Sequence, residues 1–510
     1  MAKTREKSGD ILIRNGAIGL TGLSGVGVLI WLIFASNYNY DELSHAHMAW
    51  LVSIGEVPYR DFAANHFPFL WILLTPLMWV LPHTSFALVV LRVLALVLNA
   101  VFITALCTLI CAEQQPKERI WTVVCIGVVA FCPLSMHYLI EFRPDPFANA
   151  LLFSTLAWLK LRDSRSVPTA LIGGFCIGVA FLVNTKYILF LFLLGPVALV
   201  INAGQIRRIW PFALAMCVGF SMAILGGVLL MVWISVSIVD AWRMVVIYNG
   251  MEENARSFGL RLTWRLMDNP VWFAYGLVGI AGCTILFLYQ RRPPGSLMVA
   301  MGIFLVTDLF ITTRPWKQYV VSWLLLAACL QARLLPPFIA RLRPPIQAAM
   351  ALGVLAVVSI GFAQTKANDT DNGGMDRTTQ DRVMAWISQN VAPDEFVVSS
   401  FQLHPVFWRD SFFKTVFDFA PGYGDGLEEF MPRLTTVPFA EHFQQAGYEK
   451  ELELRPPEAI VLNTEYTRDQ IQALDAYLNR HPNVYKEYKI LGTSILVALA
   501  DRNREQGWPP

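Results

Sequence analysis

Long apolar runs separated by short polar segments fill the first 363 residues of the chain. A helix needs about 20 consecutive apolar residues to cross the hydrocarbon core of a bilayer. Runs of about that length predict spans at residues 16–36, 84–112, 120–139, 146–162, 168–184, 187–203, 211–236, 270–289, 296–312, 316–333 and 346–363. The pattern therefore predicts an all-α polytopic membrane domain over residues 1–363, with about 11 transmembrane helices.

One further apolar segment, "FPFLWILLTPLMWVLP" at residues 67–82, is short, bounded by prolines and rich in aromatic residues. Cytoplasmic loops carry an excess of Lys and Arg. If this segment lies in the membrane interface, every cytoplasmic loop is basic, as is the N-terminus. If it spans, all the basic loops after it fall on the outer side. We therefore predict an interfacial segment that does not span.

This topology places Lys117, Arg162 and Arg207 in the cytoplasm and puts Arg60 and residue 400 outside. The outer face also receives residues 36–83, 140–145, 184–187, 237–269 and 313–317, together with the whole C-terminal tail. Five of the eight histidines then lie at or near the outer boundary, at positions 45, 47, 66, 83 and 137. The sequence predicts a polar site on the outer face.

From residue 364 the pattern changes to that of a small soluble domain. "RTTQDRVMAWISQNV" and "RDQIQALDAYLNRH" have helical spacing of apolar positions. "FVVSS", "EAIVLN", "YKEYKIL" and "SILVALAD" are typical of short strands. We therefore predict a C-terminal α/β domain at residues 364–510, on the outer side of the membrane.

Composition supports this division and excludes some classes of protein. Hydrophobic residues make up 55% of the chain and charged residues 15%, against about 25% charged in soluble domains. Residues 1–363 carry a net charge of +10 and residues 364–510 carry −8, which together give the net +2. The basic residues stand at loop ends and form no basic face, so no nucleic-acid partner is predicted. All eight cysteines lie in apolar stretches, which argues against a disulfide framework or a Cys zinc site in the tail.

The stretch "DELSHAHMAW" at residues 41–50 follows the first predicted span directly. Leu43, Ala46 and Trp50 fall on one helical stripe, which predicts a short interfacial helix with Asp41 at its N-terminal end. An aspartate there could cap the helix, or it could act as a base. His45 and His47 are two residues apart and point in different directions on a helix, which argues against a shared metal.

Further polar groups occur at the same predicted level of the membrane. They come from "GEVPYRDFAANHFPFLW" (55–71), "EFRPDPFA" (141–148), "NTKYILF" (184–190) and "RPWKQYVVSW" (314–323). Each has a structural alternative. Asp145 and its flanking prolines could simply start a helix, and Lys186 could extend its amine to the interface from between two apolar runs.

The pattern DE…H…W…G…PYRDF…NH.P after a first spanning helix resembles the bacterial C-type (GT-C) glycosyltransferases. This superfamily includes the lipid A aminoarabinose transferases, the protein O-mannosyltransferases and the rhizobial lipopolysaccharide-core galacturonosyltransferases. "EFRPDPFA" and the outer soluble tail extend the resemblance. It implies a GT-C-like fold with interfacial helices in the first outer loop, a polyprenyl-phosphate sugar donor, and a catalytic role for Asp41. The sequence departs from the pattern at Asn65, where relatives often have a carboxylate and a Lys, or paired histidines.

Such a reaction needs few groups. A lipid-phosphate leaving group requires little protonation, so one general base for the acceptor hydroxyl suffices. Cations then stabilise the charge that develops on the departing phosphate. We assign catalytic roles to Asp41, Glu42 and Asp145, and substrate-binding roles to His45, Arg60, His66, Arg143, Lys186, Lys317 and Tyr319. No metal site and no cofactor are predicted, although a divalent cation between Asp41 and Asp145 is left open.

The predicted function is inverting transfer of a sugar from polyprenyl phosphate to a hydroxyl of an envelope glycan or lipid. The expected acceptors are the lipopolysaccharide core and lipid A, at the periplasmic face of a bacterial inner membrane, in contact with membrane lipids. Protein O-mannosyl transfer is an alternative within the same fold. A transporter or flippase is a third; the gathering of polar residues at one face, with no visible internal repeat, argues against it.

Overall fold

The computed structural model describes residues 8–62, 64, 66–112, 114–162, 166–185, 187, 206–248, 325, 328–329, 331–332, 335–371, 376–399, 403–411, 445–462, 468–490 and 493–498. The chain divides into two compact units. The first consists of Met1–Ser36, Arg92–Val228 and Glu252–Gly373, and the second of Asn37–Leu91, Leu229–Met251 and Gly374–Pro510. The second unit thus combines residues 37–91, which contain the predicted first outer loop, with the C-terminal tail. The predicted domain boundary between residues 363 and 364 stays a prediction.

Helices make up most of the described chain. In chain order they are α1 (Ser8–Ala35), α2 (Tyr40–Ser53), α3 (Phe69–Val80), α4 (Phe86–Cys111), α5 (Pro116–Ala130), α6 (Pro133–Ile140), α7 (Pro144–Arg162), α8 (Val167–Val183), α9 (Ile206–Trp233), α10 (Ile238–Trp242), α11 (Pro344–Asp371), α12 (Arg377–Asn390), α13 (Gln445–Leu454) and α14 (Arg468–Arg480). A π-helical turn, Arg243–Tyr248, follows α10.

Three of the described helices are long and apolar enough to cross a membrane: Ile11–Ala35 in α1, Phe86–Cys111 (α4) and Ile209–Trp233 in α9. They coincide with predicted spans, and shorter apolar helices coincide with two more, at Val167–Val183 and Pro344–Ile360. The predicted spans 270–289 and 296–312 lie outside the described residues, as do most of 187–203 and 316–333. The total of about 11 spans therefore stays a prediction.

Helix α3 occupies the ambiguous apolar segment. It begins after Pro68 and has 12 residues. At about 1.5 Å per residue it extends roughly 18 Å, well short of the ~30 Å hydrocarbon core of a bilayer. This length agrees with a segment that does not span.

The predicted continuous span at 120–139 is wrong as a single helix. The structure has two helices there, α5 and α6, separated at Phe131 and Cys132. Pro133 lacks a backbone N–H and cannot continue a helix, but it is well suited to the first position of the next one. Proline occupies that position in α6.

Helix α1 packs against α11 within the first unit. The Thr21 hydroxyl donates to the carbonyl of Ala17 at 2.9 Å and lies 3.0 Å from the carbonyl of Ala351. Farther along, the rings of Trp31 and Phe362 meet edge to face with centroids 4.8 Å apart. These contacts tie together the first and last predicted spans of the membrane domain.

Helices α8 and α9 approach each other backbone to backbone. A Cβ built on Gly174 would lie 2.0 Å from the carbonyl oxygen of Met216, and one built on Gly219 would lie 2.0 Å from that of Leu171. Small residues at such crossings are typical of helix pairs in membranes.

Arg92 lies within a predicted span and is 1% exposed. Its guanidinium donates to the carbonyl oxygens of Ile33 (3.2 Å) and Ser36 (2.9 Å) and to the Ser36 hydroxyl (2.9 Å). These groups lie at the C-terminal end of α1, where helix carbonyls lack partners of their own. The buried charge therefore caps α1 just before the first outer loop.

The second unit contains a five-stranded mixed sheet. Its strands are β1 (Phe396–Val398), β2 (Arg409–Asp410), β3 (Pro457–Leu462), β4 (Tyr485–Ile490) and β5 (Thr493–Ala498), in the order β2-β1-β3-β5-β4. Strand β1 is parallel to both neighbours, whereas β5 is antiparallel to β3 and β4. The predicted strands and the helices α12 and α14 are confirmed. The sequence patterns did not predict β2 or α13.

Side chains of the tail hold the start of the first outer loop. The side chain of Gln380 in α12 accepts from the amide of Tyr38 at 2.8 Å and donates to the Tyr38 carbonyl at 3.0 Å. The Arg377 guanidinium donates to the Tyr38 hydroxyl and stacks 3.8 Å from its ring centroid. These residues fix the backbone immediately before α2.

Candidate active site

The helix predicted after the first span is α2, and its first turn carries both acids. The Asn39 side chain accepts from the amide of Asp41 at 3.4 Å, and the Glu42 carboxylate accepts from the amide of Asn39 at 3.0 Å. This reciprocal arrangement is a capping box. Glu42 is 2% exposed, whereas Asp41 is only half-buried. The capping role considered for Asp41 therefore belongs to Asn39 and Glu42.

Helix α2 is buried on both faces. The sequence pattern instead predicts a helix with one apolar face in the membrane interface. Residues 42–51 are all buried. On one side the Trp71 indole donates to Nδ1 of His45 at 3.3 Å, and the His66 ring lies 5.4 Å from the His45 ring. Because an indole N–H only donates, Nδ1 of neutral His45 is unprotonated and Nε2 carries the proton. The structure thus brings His45 and His66 together.

His47 points to a different side of the helix, as its spacing from His45 predicts. Its Nδ1 bonds the carbonyl of Val406, and its ring lies 4.2 Å from that of His404. Since a carbonyl only accepts, neutral His47 carries its proton on Nδ1. The two histidines of "SHAH" therefore serve separate environments.

The "VPYRDF" segment forms a tight turn before His66. Asp61 Oδ2 accepts from the amide of Val57 at 2.8 Å, and both carboxylate oxygens bind the Arg60 guanidinium at 2.7 and 3.0 Å. Tyr59 has a positive φ of 65° and its hydroxyl donates to the carbonyl of His66 at 2.5 Å. Burial raises the pKa of Tyr59 well above its ordinary value, so the hydroxyl stays a donor. Arg60 is thereby paired with Asp61 while remaining 60% exposed.

In the first unit, "EFRPDP" forms a charged cluster at the start of α7. The Arg143 guanidinium lies 3.4 Å from Asp145 Oδ2 and 3.6 Å from Glu141 Oε2. The Asn184 amide donates to Asp145 Oδ1 at 2.9 Å. Both oxygens of Asp145 are therefore held, and the carboxylate also stands in the first turn of α7, where it stabilises the helix. Glu141 and Arg143 are buried.

The predicted site residues fall into three groups. The second unit holds Asp41, Glu42, His45, Arg60 and His66, and the first unit holds Arg143 and Asp145. Lys186, Lys317, Tyr319 and Asn65 lie outside the described residues. Convergence of all these groups on one site stays a prediction. Within the described part of the chain, no three His, Cys, Asp or Glu side chains form a group that could hold a metal ion.

The sequence analysis did not identify the residues that hold the predicted site residues in position. Asn184 holds Asp145, and the hydroxyl of Tyr187 donates to the Asn149 side chain of α7. A signal was present, because Asn184 is the polar residue that ends the apolar run of α8 at the predicted level of Asp145. Trp71 carried no such signal, since an aromatic residue in an interfacial segment is ordinary.

No protein-family model matches this sequence, and no curated protein matches it. Solved structures do. ArnT from Cupriavidus metallidurans in the apo state is 12% identical with a TM-score of 0.56, and the match covers 94% of this chain and 98% of ArnT. ArnT bound to undecaprenyl phosphate is 13% identical with a TM-score of 0.58, covering 95% and 98%. The apo oligosaccharyltransferase of Archaeoglobus fulgidus is 14% identical with a TM-score of 0.48, covering 93% and 73%.

The likeness to ArnT shows a shared fold over nearly the whole chain. ArnT is a GT-C glycosyltransferase, so the GT-C-like fold that the first outer loop and "EFRPDPFA" implied is confirmed. The mostly helical architecture with a small sheet agrees with the predicted fold class.

Proposed function

We propose that this protein is a membrane glycosyltransferase that moves a sugar from a polyprenyl-phosphate donor to an acceptor hydroxyl, with inversion at the anomeric carbon. The observation that carries the proposal is the different placement of the two adjacent acids on α2. Glu42 is buried in the capping box, and Asp41 is left half-exposed beside it. In a chain with the ArnT fold, such a carboxylate is suited to act as the general base.

The same comparison supports the proposed donor class. One of the matching structures is ArnT bound to undecaprenyl phosphate. A sugar on a polyprenyl phosphate stays near headgroup depth, because its lipid tail remains in the membrane. The base must then stand just outside a spanning helix, which is where Asp41 follows α1 in the sequence.

Each step uses residues of this chain. Asp41 takes the proton of the acceptor hydroxyl as its oxygen bonds the anomeric carbon, while the bond from that carbon to the lipid phosphate breaks. No covalent sugar–enzyme intermediate is needed, so the configuration inverts. Lys186, Lys317, His66 and Arg143 are the groups proposed to stabilise the departing phosphate. His45, Arg60 and Tyr319 are proposed to bind substrate, and Asp145, which accepts a hydrogen bond from Asn184, is proposed to take the catalytic role assigned to it from the sequence.

We propose lipopolysaccharide core or lipid A as the acceptor and the periplasmic face of a bacterial inner membrane as the location. Mass spectrometry of lipid A and core oligosaccharide from a deletion strain tests the acceptor. Loss of one sugar residue from either glycan is the expected result. If both glycans are unchanged while a glycoprotein loses mannose, the acceptor is a protein hydroxyl.

A further inference from the structure

A cavity of about 220 Å³ lies within the second unit, and Asp41 is not among the residues that line it. The first outer loop contributes one side of its wall and the tail the other. The lining residues are His47, Leu51, Glu56, Asp61, Phe62, Phe396, Arg409, Asp410 and Arg455. None of them has a part in the proposed transfer step.

The charged groups of this wall are paired within the chain. Arg409 Nη2 lies 3.0 Å from Glu56 Oε1, and Arg455 Nε lies 3.5 Å from Glu451 Oε2. Asp410 accepts from the amide of Ser399 at 3.0 Å. A wall whose guanidiniums already have carboxylate partners attracts a phosphate or carboxylate ligand only weakly. The ligand it suits is neutral.

The same groups keep hydrogen-bonding capacity for a ligand that both donates and accepts. A guanidinium has five N–H donors and a carboxylate about four lone-pair positions, so one ion pair leaves most of them available. Nε of Arg409 is buried and has no hydrogen-bond partner among the described residues. The Arg409 side chain as a whole is 37% exposed, so the other N–H groups of its guanidinium can reach a ligand hydroxyl.

The remaining wall combines the apolar residues Leu51, Phe62 and Phe396 with His47 and with Asp61, whose carboxylate is paired with Arg60. Phe62 is fully buried, and the Phe396 ring is half-buried with the Arg455 guanidinium 5.6 Å from its centroid. Rings beside paired hydrogen-bonding groups match a sugar, which has both C–H faces and hydroxyls. The volume is below the roughly 300 Å³ at which pockets for drug-sized ligands begin, so it suits one ring and not a chain.

We propose that this cavity is a saccharide subsite that holds one neutral sugar ring. Resting on the proposed function, that ring belongs to the glycan acceptor, which the first outer loop and the tail would grip together at a distance from the transferred sugar. Glu56 and Arg409 then act as a pair that orients ring hydroxyls.

Binding of simple glycosides to the purified full-length protein in nanodiscs tests the proposal without any lipid donor. The probes are the methyl α-glycosides of glucose, galactose and mannose, observed by saturation-transfer NMR. We expect at least one to bind with a dissociation constant on the order of millimolar. Arg409→Gln should weaken that binding about tenfold or more, because it removes the accessible guanidinium donors and leaves the Glu56 carboxylate unpaired. Arg480→Gln, an exposed ion-paired arginine of the same unit, is the matched control and should bind as the wild type does.

Glu56→Gln provides a second variant in case Arg409→Gln does not fold, since it keeps the size of the side chain and one acceptor oxygen. It should weaken binding severalfold, because charge-assisted hydrogen bonds are stronger than neutral ones. Saturation transfer to none of the glycosides, or equal transfer in the folded variants, overturns the proposal. Displacement of a bound glycoside by millimolar phosphate or acetate also overturns it, since the site would then be an anion site.

The two proposals fail separately. A protein that transfers sugar but binds no glycoside refutes the subsite alone. A protein whose glycoside binding depends on Arg409 but which transfers no sugar from any polyprenyl-phosphate donor refutes the proposed function alone. In a transfer assay, Arg409→Gln should raise the KM for the acceptor and leave the KM for the donor unchanged.

Discussion

At the scale of single residues, the first turn of α2 divides two tasks between adjacent acids. Glu42 closes the capping box on Asn39, while Asp41 remains half-exposed. Charge and spacing predicted that acids would stand at this helix start. They did not predict which acid would form the capping box, because Asn39 could not be identified as the N-cap residue before the first residue of the helix was known.

Glu42→Ala tests this division. Loss of a capping-box side chain should lower the free energy of unfolding by about 1 kcal/mol. Turnover of the folded fraction should fall much less than in Asp41→Asn. Thermal melts and specific activities of the two purified variants, measured side by side, give the comparison. If Asp41→Asn had a lower melting temperature than Glu42→Ala, the assignment of the capping role to Glu42 would be wrong.

At the scale of elements, α2 meets the segment that leads into β2 through two buried histidines. Burial lowers the pKa of His47 well below 6.5, with His404 as a further cause, and burial lowers that of His404 to about 3. Asp410 Oδ2, 3.5 Å from His404 Nε2, is the facing carboxylate. Both rings are therefore neutral in the folded protein near neutral pH.

The second unit should lose stability on acidification. The unfolded chain binds a proton on each of these histidines below about pH 6.5, whereas the folded protein does not until far lower. Each therefore costs up to about 1.4 kcal/mol per pH unit as the pH falls from 6.5 toward the folded value. Thermal melts from pH 7.5 to 5 should show the decline, and His404→Leu should reduce its slope. An equal slope in His404→Leu would contradict the account.

The close crossing of α8 and α9 makes a prediction about membrane helix packing. Gly219→Val places a side chain against the Leu171 carbonyl, with its Cβ 2.0 Å away, so the helices must separate. Gly226→Ala on the same helix meets nothing within 4 Å and is the matched control. We expect a lower melting temperature and reduced yield in detergent for the first variant only. Equal yields would show that the two helices do not pack through these glycines.

The elements that the sequence predicts well are those whose pattern is local. Helices α1, α4, α8 and α9 and most strands of the tail follow from runs of apolar residues. The break before Pro133 was missed because an apolar run on both sides of a proline reads as continuous. Strand β2 has only two residues, Arg409 and Asp410, so it is too short to show the alternation of apolar and polar residues that predicts a strand.

At the scale of the whole molecule, the grouping of the first outer loop with the tail is what the sequence could not provide. Tyr38 with Gln380, and Glu56 with Arg409, are separated by more than 300 residues. Such pairs form only because the helices between them bring distant parts of the chain together. No local sequence pattern predicts that path. The cavity proposed as a saccharide subsite is made by this long-range contact.

The predicted topology is a property of the whole chain and can be tested directly. Single cysteines can be placed at Lys117, Arg162 and Arg60 in a background without native cysteines. Their labelling should show which side of the membrane each position faces. A membrane-impermeant maleimide should label position 60 in cells with a permeabilised outer membrane, and positions 117 and 162 only after lysis. Labelling of position 117 from outside would invert the map and move the proposed active site to the cytoplasm.

The central claim is that Asp41 is the base of a lipid-linked sugar transfer, and one measurement tests it most directly. Asp41→Asn keeps the size of the side chain and leaves the capping box of Asn39 and Glu42 in place, so the protein should insert and melt like the wild type. Turnover with a polyprenyl-phosphate sugar and the acceptor glycan, compared at equal amounts of folded protein, should fall on the order of a hundredfold or more. Turnover close to that of the wild type would contradict the account and leave Asp41 without a catalytic role.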